Sequence, residues 1–205
     1  ALRMSRAGNV QFDMAPTGGS SQSWALSART DGTFRITNDS DGSIDLKIDG
    51  DGAITQARQP SFIAKLTTSQ DNVTGNTILF RSDNAANSQW SIIENRGSGF
   101  ANGKFTAPVA GLYQFNLVVN LEGLTSSNTY GNLLFYTDGP VGNISMTSEN
   151  FWAQSYTGSG NLLIRWSMLV ELDANDYGYF GGYVYYGSQV VDLRPGTFFS
   201  GHLVA

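Results

Sequence analysis

A thirteen-residue stretch in the middle of the chain leaves little room for anything but a β fold. In Gly103-Lys104-Phe105-Thr106-Ala107-Pro108-Val109-Ala110-Gly111-Leu112-Tyr113-Gln114-Phe115, a turn glycine precedes a short apolar strand. A proline that cannot donate to a ladder then ends it, and Gly111 restarts the chain in strict alternation, so two strands meet at a fixed corner. The alternation runs on through Leu117, Val119 and Leu121, which puts five apolar side chains on one face from Tyr113 onward while Gln114, Asn116 and Asn120 point away. This predicts a central strand of a sandwich.

The composition agrees. With 24 glycines, 12% aromatic and only 14% charged residues, the 205-residue chain suits short strands and many turns, as one large domain or a domain plus a stalk. A net charge of -5, with 12 scattered Lys and Arg, excludes a phosphate backbone as the main partner, because nucleic-acid affinity comes from clustered cations. The absence of cysteine excludes a disulfide framework and thiolate metal sites, and the single His202 excludes multi-histidine zinc. Stability is therefore expected from packing or oligomerisation. The chain has no run of eighteen apolar residues, so no membrane insertion is expected, and it begins at Ala1-Leu2-Arg3-Met4 as if cut from something longer, a fragment or a processed product.

Residues 1–58 carry a weak repeat. Gly8-Asn9-Val10-Gln11-Phe12, Gly32-Thr33-Phe34-Arg35-Ile36, Gly42-Ser43-Ile44-Asp45-Leu46 and Gly52-Ala53-Ile54 each set a glycine before alternating apolar residues, and the last three glycines follow Asp31, Asp41 and Asp51 at ten-residue spacing. That pattern predicts Asp-Gly turns between strands too short to bury one apolar face alone, hence repeats wound or paired with copies from other chains. Asp39, Asp41 and Asp45 form the one candidate calcium set, but an EF-hand count from Asp39 finds Ile44 and Gly50 where glycine and glutamate are needed, so a plain Asp-Gly turn competes with it. No other cofactor is expected. The phrase Leu2-Arg3-Met4-Ser5-Arg6-Ala7-Gly8-Asn9-Val10 resembles the Arg-Met-Arg-Ile-x-x-x-Gly-Asn-Val phrase of phage tail-fibre and other trimeric adhesin shafts, and departs from it after Val10, where Gln11-Phe12 replaces a glycine-rich continuation.

Pro60 breaks the repeat, and a second domain is expected over 59–205. Strands are predicted at Ser61–Leu66, Thr77–Phe80, Gln89–Ile93 and Leu162–Leu172, the last alternating cleanly through Ile164, Trp166, Met168 and Val170. Phe105, Gly111, Tyr113, Phe115 and Leu117, with Asn95-Arg96-Gly97, Phe100, Leu172-Asp173-Ala174-Asn175-Asp176 and Gly196 to Val204, resemble the signature of the globular head of the first complement component, a jelly-roll family allied to tumour necrosis factor. The resemblance spans 61–205 and implies an all-β, ten-strand jelly-roll head that assembles as a homotrimer, preceded here by the short β shaft.

If the strands run up and down from the shaft, the connections near 121–131, 153–161 and 187–196 lie together at the far tip. Asn128, Tyr130, Asn132, Trp152, Gln154, Tyr156, Asn161 and Gln189 are the candidate receptor or glycan contacts there, since amides fork to sugar hydroxyls and aromatic faces stack on sugar C–H surfaces. Polar loops packed or buried at a seam are the competing reading. The run Tyr177-Gly178-Tyr179-Phe180-Gly181-Gly182-Tyr183-Val184-Tyr185-Tyr186 places Tyr177 with Tyr179 on one face and, past the glycine break, Tyr183 with Tyr185 on another. These four tyrosines and Phe199 are expected in the core or at the trimer interface. His202 is expected buried or at an interface, not catalytic.

The only glutamates in the head are Glu94, Glu122, Glu149 and Glu171, no two acidic residues announce an acid–base pair, and no nucleophile, phosphate or dinucleotide motif appears. The expected function is therefore binding, not catalysis. The chain reads as the distal part of a phage tail fibre in the virion, a trimeric adhesin for a bacterial surface polysaccharide or lipopolysaccharide, joined to the rest of the fibre through its N-terminal side. A complement-like lectin of non-viral origin, secreted or at a cell surface, is the alternative, and a tailspike glycan depolymerase a second.

Overall fold

A computed structural model describes residues 8–15, 22–73, 80–83, 90–128, 130–148, 160–185 and 191–205, and the chain divides into two compact units, Ala1–Gln59 and Pro60–Ala205. Every regular element among the described residues is a β-strand.

The first unit is a five-stranded antiparallel meander of β1 (Val10–Met14), β2 (Trp24–Ala28), β3 (Phe34–Asn38), β4 (Ser43–Ile48) and β5 (Ile54–Thr55), paired in chain order. The three Asp-Gly turns form as the repeat predicts, with Gly32, Gly42 and Gly52 at φ of 81°, 70° and 83°, where a side chain is strained. Trp24–Ala28 is a strand outside the glycine repeat, and the five strands pair with one another within the chain, with β1 and β5 at the sheet edges. β2 fills the gap the repeat leaves between Val10 and Phe34, so the strands pair in chain order.

The second unit is two facing antiparallel sheets. One contains β6 (Ser61–Leu66), β7 (Gln70–Val73), β9 (Trp90–Arg96), β12 (Gly111–Glu122), β15 (Leu162–Leu172), β17 (Val191–Leu193) and β18 (Phe198–Leu203). The other contains β8 (Phe80–Arg81), β10 (Phe100–Ala101), β11 (Lys104–Thr106), β13 (Tyr130–Thr137), β14 (Ile144–Ser148) and β16 (Tyr177–Tyr185). The first runs β7-β17-β12-β18-β6-β9 with β15 on the other edge of β12, and the second runs β10-β11-β16-β13-β14 with β8 paired to β16, thirteen strands among the described residues. From β12 onward the chain crosses between sheets at four of its six connections, which is jelly-roll winding.

The core lies between the sheets. Tyr113, Phe115, Leu117, Val119 and Leu121 on β12 are all buried, as their alternation predicts. They meet Phe62, Phe100, Phe105, Phe135, Phe180 and Phe199, whose rings interlock in stacked and edge-on pairs 4.6 to 6.3 Å apart. The corner before β12 is held by the Tyr113 hydroxyl, which donates to the Val109 carbonyl at 2.7 Å. Burial pushes the Tyr113 pKa up, so the hydroxyl stays a donor.

Asn95 explains the first part of the head signature: its amide donates to the Phe100 carbonyl at 2.9 Å and accepts from the Phe100 N–H at 3.0 Å, closing the turn through Gly97 and Ser98.

Candidate binding surface

Strand register decides which connections share an end. Leu121 on β12 is opposite both Leu162 on β15 and Leu193 on β17, and Tyr130 on β13 is opposite Tyr185 on β16. The links from β12 to β13, from β14 to β15 and from β16 to β17 therefore leave the sandwich at one end. At the other end Gly111 is opposite Leu172, Thr106 is opposite Tyr177, and Leu203 lies beside Pro60 through a 2.9 Å bond between their backbones. The unit is thus entered and left at the end away from those three links.

Of the eight candidate contacts, Trp152, Gln154, Tyr156 and Gln189 lie outside the described residues. Asn161 is exposed, immediately before β15, and Tyr130 is half-buried at the start of β13. Two assignments need correcting. Asn128 is buried, its Oδ1 accepting from the Thr125 N–H at 2.6 Å and from the Thr125 hydroxyl at 2.9 Å, so it closes a turn. Asn132 is buried too, because it lies within a strand rather than a loop, and its amide donates to the Tyr183 hydroxyl. Composition cannot separate an amide that caps a turn from one that meets a ligand.

The end also carries groups that sequence reasoning passed over. Arg194 pairs with Glu122, with Asp71 at 3.5 Å and with Asp192 at 3.9 Å, and donates to the Ser69 hydroxyl at 3.0 Å. One guanidinium thus gathers three carboxylates from β7, β12 and β17 at a partly exposed position. Such a set can accept and donate to vicinal hydroxyls of a bound sugar. The only sequence signal was Asp192-Leu193-Arg194, an ordinary pattern that shows nothing until Asp71 and Glu122 are brought in by folding. Behind it Gln70, opposite Leu193, is fully buried with both amide atoms unpaired.

The aromatic run is also corrected. β16 continues unbroken through Gly181 and Gly182, which pair with Leu134 and Leu133 of β13. With no break, Phe180 and Val184 turn into the core and Tyr177 and Tyr179 share the outer face, while Tyr183, half-buried, also packs against the core cluster. There Tyr136 stacks on Tyr179 at 4.9 Å, Tyr179 on Tyr177 at 5.8 Å, and the Lys104 ammonium sits 5.3 Å from the Tyr177 ring centre. Tyr185 ends the strand opposite Tyr130, and its side chain lies outside the described residues. Phe199, expected in the core or at an interface, is completely buried at the centre of the core, because odd-numbered residues of β18 face inward with Leu117. His202, expected buried or at an interface, lies outside the core of the chain, exposed on the outer face opposite Gln114 and Ser61.

In the first unit Arg58 pairs with two of the three candidate calcium ligands, with Asp41 and, at 3.1 Å, with Asp45. Asp39 is exposed, and no cluster of three or more metal-ligating side chains occurs among the described residues. Asp41 also has Ser43 beside it, through the nearby hydroxyl and an N–H at 2.9 Å, and these together with Arg58 bring its pKa down from 3.8 to about 2. A lowered carboxylate stabilises the fold fully above its unfolded value and loses that contribution as pH falls toward the folded one. The turn should therefore loosen between pH 3.8 and about 2. A carboxyl NMR titration should find Asp41 near the lower value, and Arg58→Gln should move the midpoint up; an unmoved midpoint would show that Arg58 does not hold the carboxylate.

The strand order places the second unit in a class, the all-β jelly rolls. No protein-family model matches the sequence, and a search of curated proteins finds no match. Among solved structures the chain is similar to the crystal structure of murine APRIL, at 10% identity over 71% of this chain and 99% of that one, with a TM-score of 0.44.

Proposed function

We propose that the chain is the distal part of a phage tail fibre, a homotrimer in the virion whose jelly-roll head binds a bacterial surface polysaccharide or lipopolysaccharide. The observation that carries this reading is the polarity of the head: the chain enters at Pro60 and leaves at Ala205 by one end, and three connections gather at the other. A fibre built this way joins its remainder through the N-terminal side and presents those connections to a target. The tail-fibre-like phrase at 2–10 and the Asp-Gly meander support the shaft, and the complement-head resemblance supports three-fold assembly. Arg194 with its carboxylates, Asn161 and Tyr130 supply the hydroxyl-binding chemistry at that end.

Three weak sites on a repetitive glycan act together, so a small loss per site multiplies. Trp152→Ala, Tyr156→Ala and Arg194→Ala are each expected to lower adsorption of labelled protein to a susceptible strain, or to a glycan array, by about tenfold or more. Unchanged binding in all three variants moves the site away from this end, and a monomer in light scattering removes the trimeric reading. The function is binding rather than hydrolysis: incubation with capsule or lipopolysaccharide is expected to release no oligosaccharide, and release would make the chain a depolymerase.

A further inference from the structure

The strand β7 is held to the head by little of its own making. It lies at the edge of its sheet, and among the described residues its ladder partner is β17 alone. Val73 is opposite Val191 and Gln70 is opposite Leu193, with a shift of register between them. The partner is itself three residues long, whereas β15 meets β12 in an unbroken register from Gly111 to Leu121. The sequence of β7, Gln-Asp-Asn-Val, has one apolar residue in four, so the strand has little apolar surface to hide from water. Gln70, on the side of Leu193 and the core, is completely buried, and no protein group meets either polar atom of its amide. A buried amide without partners works against the closed strand, because water would satisfy it once the strand opened.

Arg194 supplies what the ladder lacks. Its backbone is fixed to the body of the sheet: its N–H donates to the Asn120 carbonyl at 2.9 Å, and its carbonyl accepts from the Thr197 hydroxyl at 2.9 Å and from the Thr197 N–H at 3.2 Å. Its guanidinium pairs with Glu122 on β12 and reaches the Ser69 hydroxyl at 3.0 Å and Asp71 at 3.5 Å, the two neighbours of Gln70 in the chain. We infer that β7 is a strap that opens from the head independently of the rest of the fold, with Arg194 as the clasp that holds it shut. The two parts of the device oppose each other: the Gln70 amide favours opening, and the bonds from Arg194 favour closure. Arg194 and Asp71 are both partly exposed, so their ion pair is weak and the strap opens at low cost. Opening frees Ser69 and Asp71 and uncovers the outer edge of β17. It takes place at the end proposed above for binding, so the surface offered there has two states.

Hydrogen exchange of the whole chain at neutral pH, read by mass spectrometry on peptides covering residues 67–73 and 111–122, tests the strap with no ligand present, so its failure leaves the binding proposal standing. The amides of β7 are expected to exchange at least about a hundredfold faster than those of β12. Gln70→Leu, with Gln70→Met as a second apolar side chain of similar length, should slow exchange in β7 by about tenfold and leave β12 unchanged. Arg194→Gln should quicken exchange about threefold to tenfold, again in β7 alone. If β7 and β12 exchange together, the strand opens only with the whole head and the inference falls. Unchanged or faster exchange of β7 in both Gln70 variants would show that the buried amide helps to hold the strand, and would overturn it too. In Arg194→Gln, no acceleration of β7, or equal acceleration of β12, would remove Arg194 as the clasp.

Discussion

Alanine at Gly103 is expected to cost the head about 3 kcal/mol or more, enough to leave a domain of ordinary stability largely unfolded under mild conditions. Gly103 has φ of 75°, a left-handed conformation that alanine adopts only with strain. Space is the larger obstacle. A Cβ there would lie 1.7 Å from the Ser82 carbonyl oxygen and 2.6 Å from the Trp90 indole nitrogen. Neither can yield, because Ser82 is a buried junction: its hydroxyl donates to the Gly103 carbonyl at 2.7 Å and accepts from the Phe180 N–H at 3.0 Å, while its carbonyl accepts from Trp90 at 3.0 Å. Moving the serine to admit a methyl would break the junction between β8, β9, β11 and β16. Urea denaturation would measure the effect, with Gly142→Ala as its reference. Gly142 has a similar φ of 65° but open space around it, so that variant should lose only about 1 kcal/mol, the backbone part alone. Equal losses in the two would mean that the contact with Ser82 does not constrain the turn.

Truncating Phe199 to alanine should destabilise the head by about 3–5 kcal/mol, the usual range for emptying a large aromatic site in a core. Its ring meets Phe62 at 4.8 Å, Phe180 at 5.5 Å, Phe100 at 5.7 Å and Phe115 at 5.8 Å, and it is completely buried. These four rings, drawn from both sheets, cannot collapse into the gap without moving their strands. The variant also separates a role in the core from one at an interface. As a core residue, Phe199 lowers the melting temperature equally at every protein concentration. If the ring lay between copies, the loss would shrink as concentration rises and light scattering would show dissociation.

How much of this was legible in the residues depended on how many strands an argument needed. The buried face of β12 could be read because period-two alternation requires only one strand, and the Asp-Gly turns because two residues suffice. The tyrosine run is ambiguous in sequence because a glycine pair can end a strand or sit inside one; pairing with β13 on one edge and β8 on the other keeps Gly181 and Gly182 in the ladder. Residue type alone leaves Phe199 two places, because both the core and an interface reward aromatic burial. Its neighbour across the ladder, Leu117, settles the side it faces.

The candidate surface was the least legible part. Loop positions followed from counting strands, but the fate of each amide did not: Asn128 turns back on Thr125, Asn132 lies under Tyr183, and Asn161 alone of the three meets solvent. Arg194 and its partners come from three segments, and Ser69 and Arg194 are 125 residues apart along the chain. No local pattern could have announced them.

By itself the sequence determined an all-β chain with a central alternating strand, a corner at Gly103 to Gly111, and tight Asp-Gly turns upstream, because those features follow from backbone geometry within a few residues. Tertiary structure alone decided which aromatic rings fill the core, which amides are spent on turns, where Arg194 gathers its carboxylates, and that the five upstream strands pair in chain order as one meander. These depend on register between strands far apart in the chain, and a shift of one residue in that register would turn every one of those side chains to the opposite face.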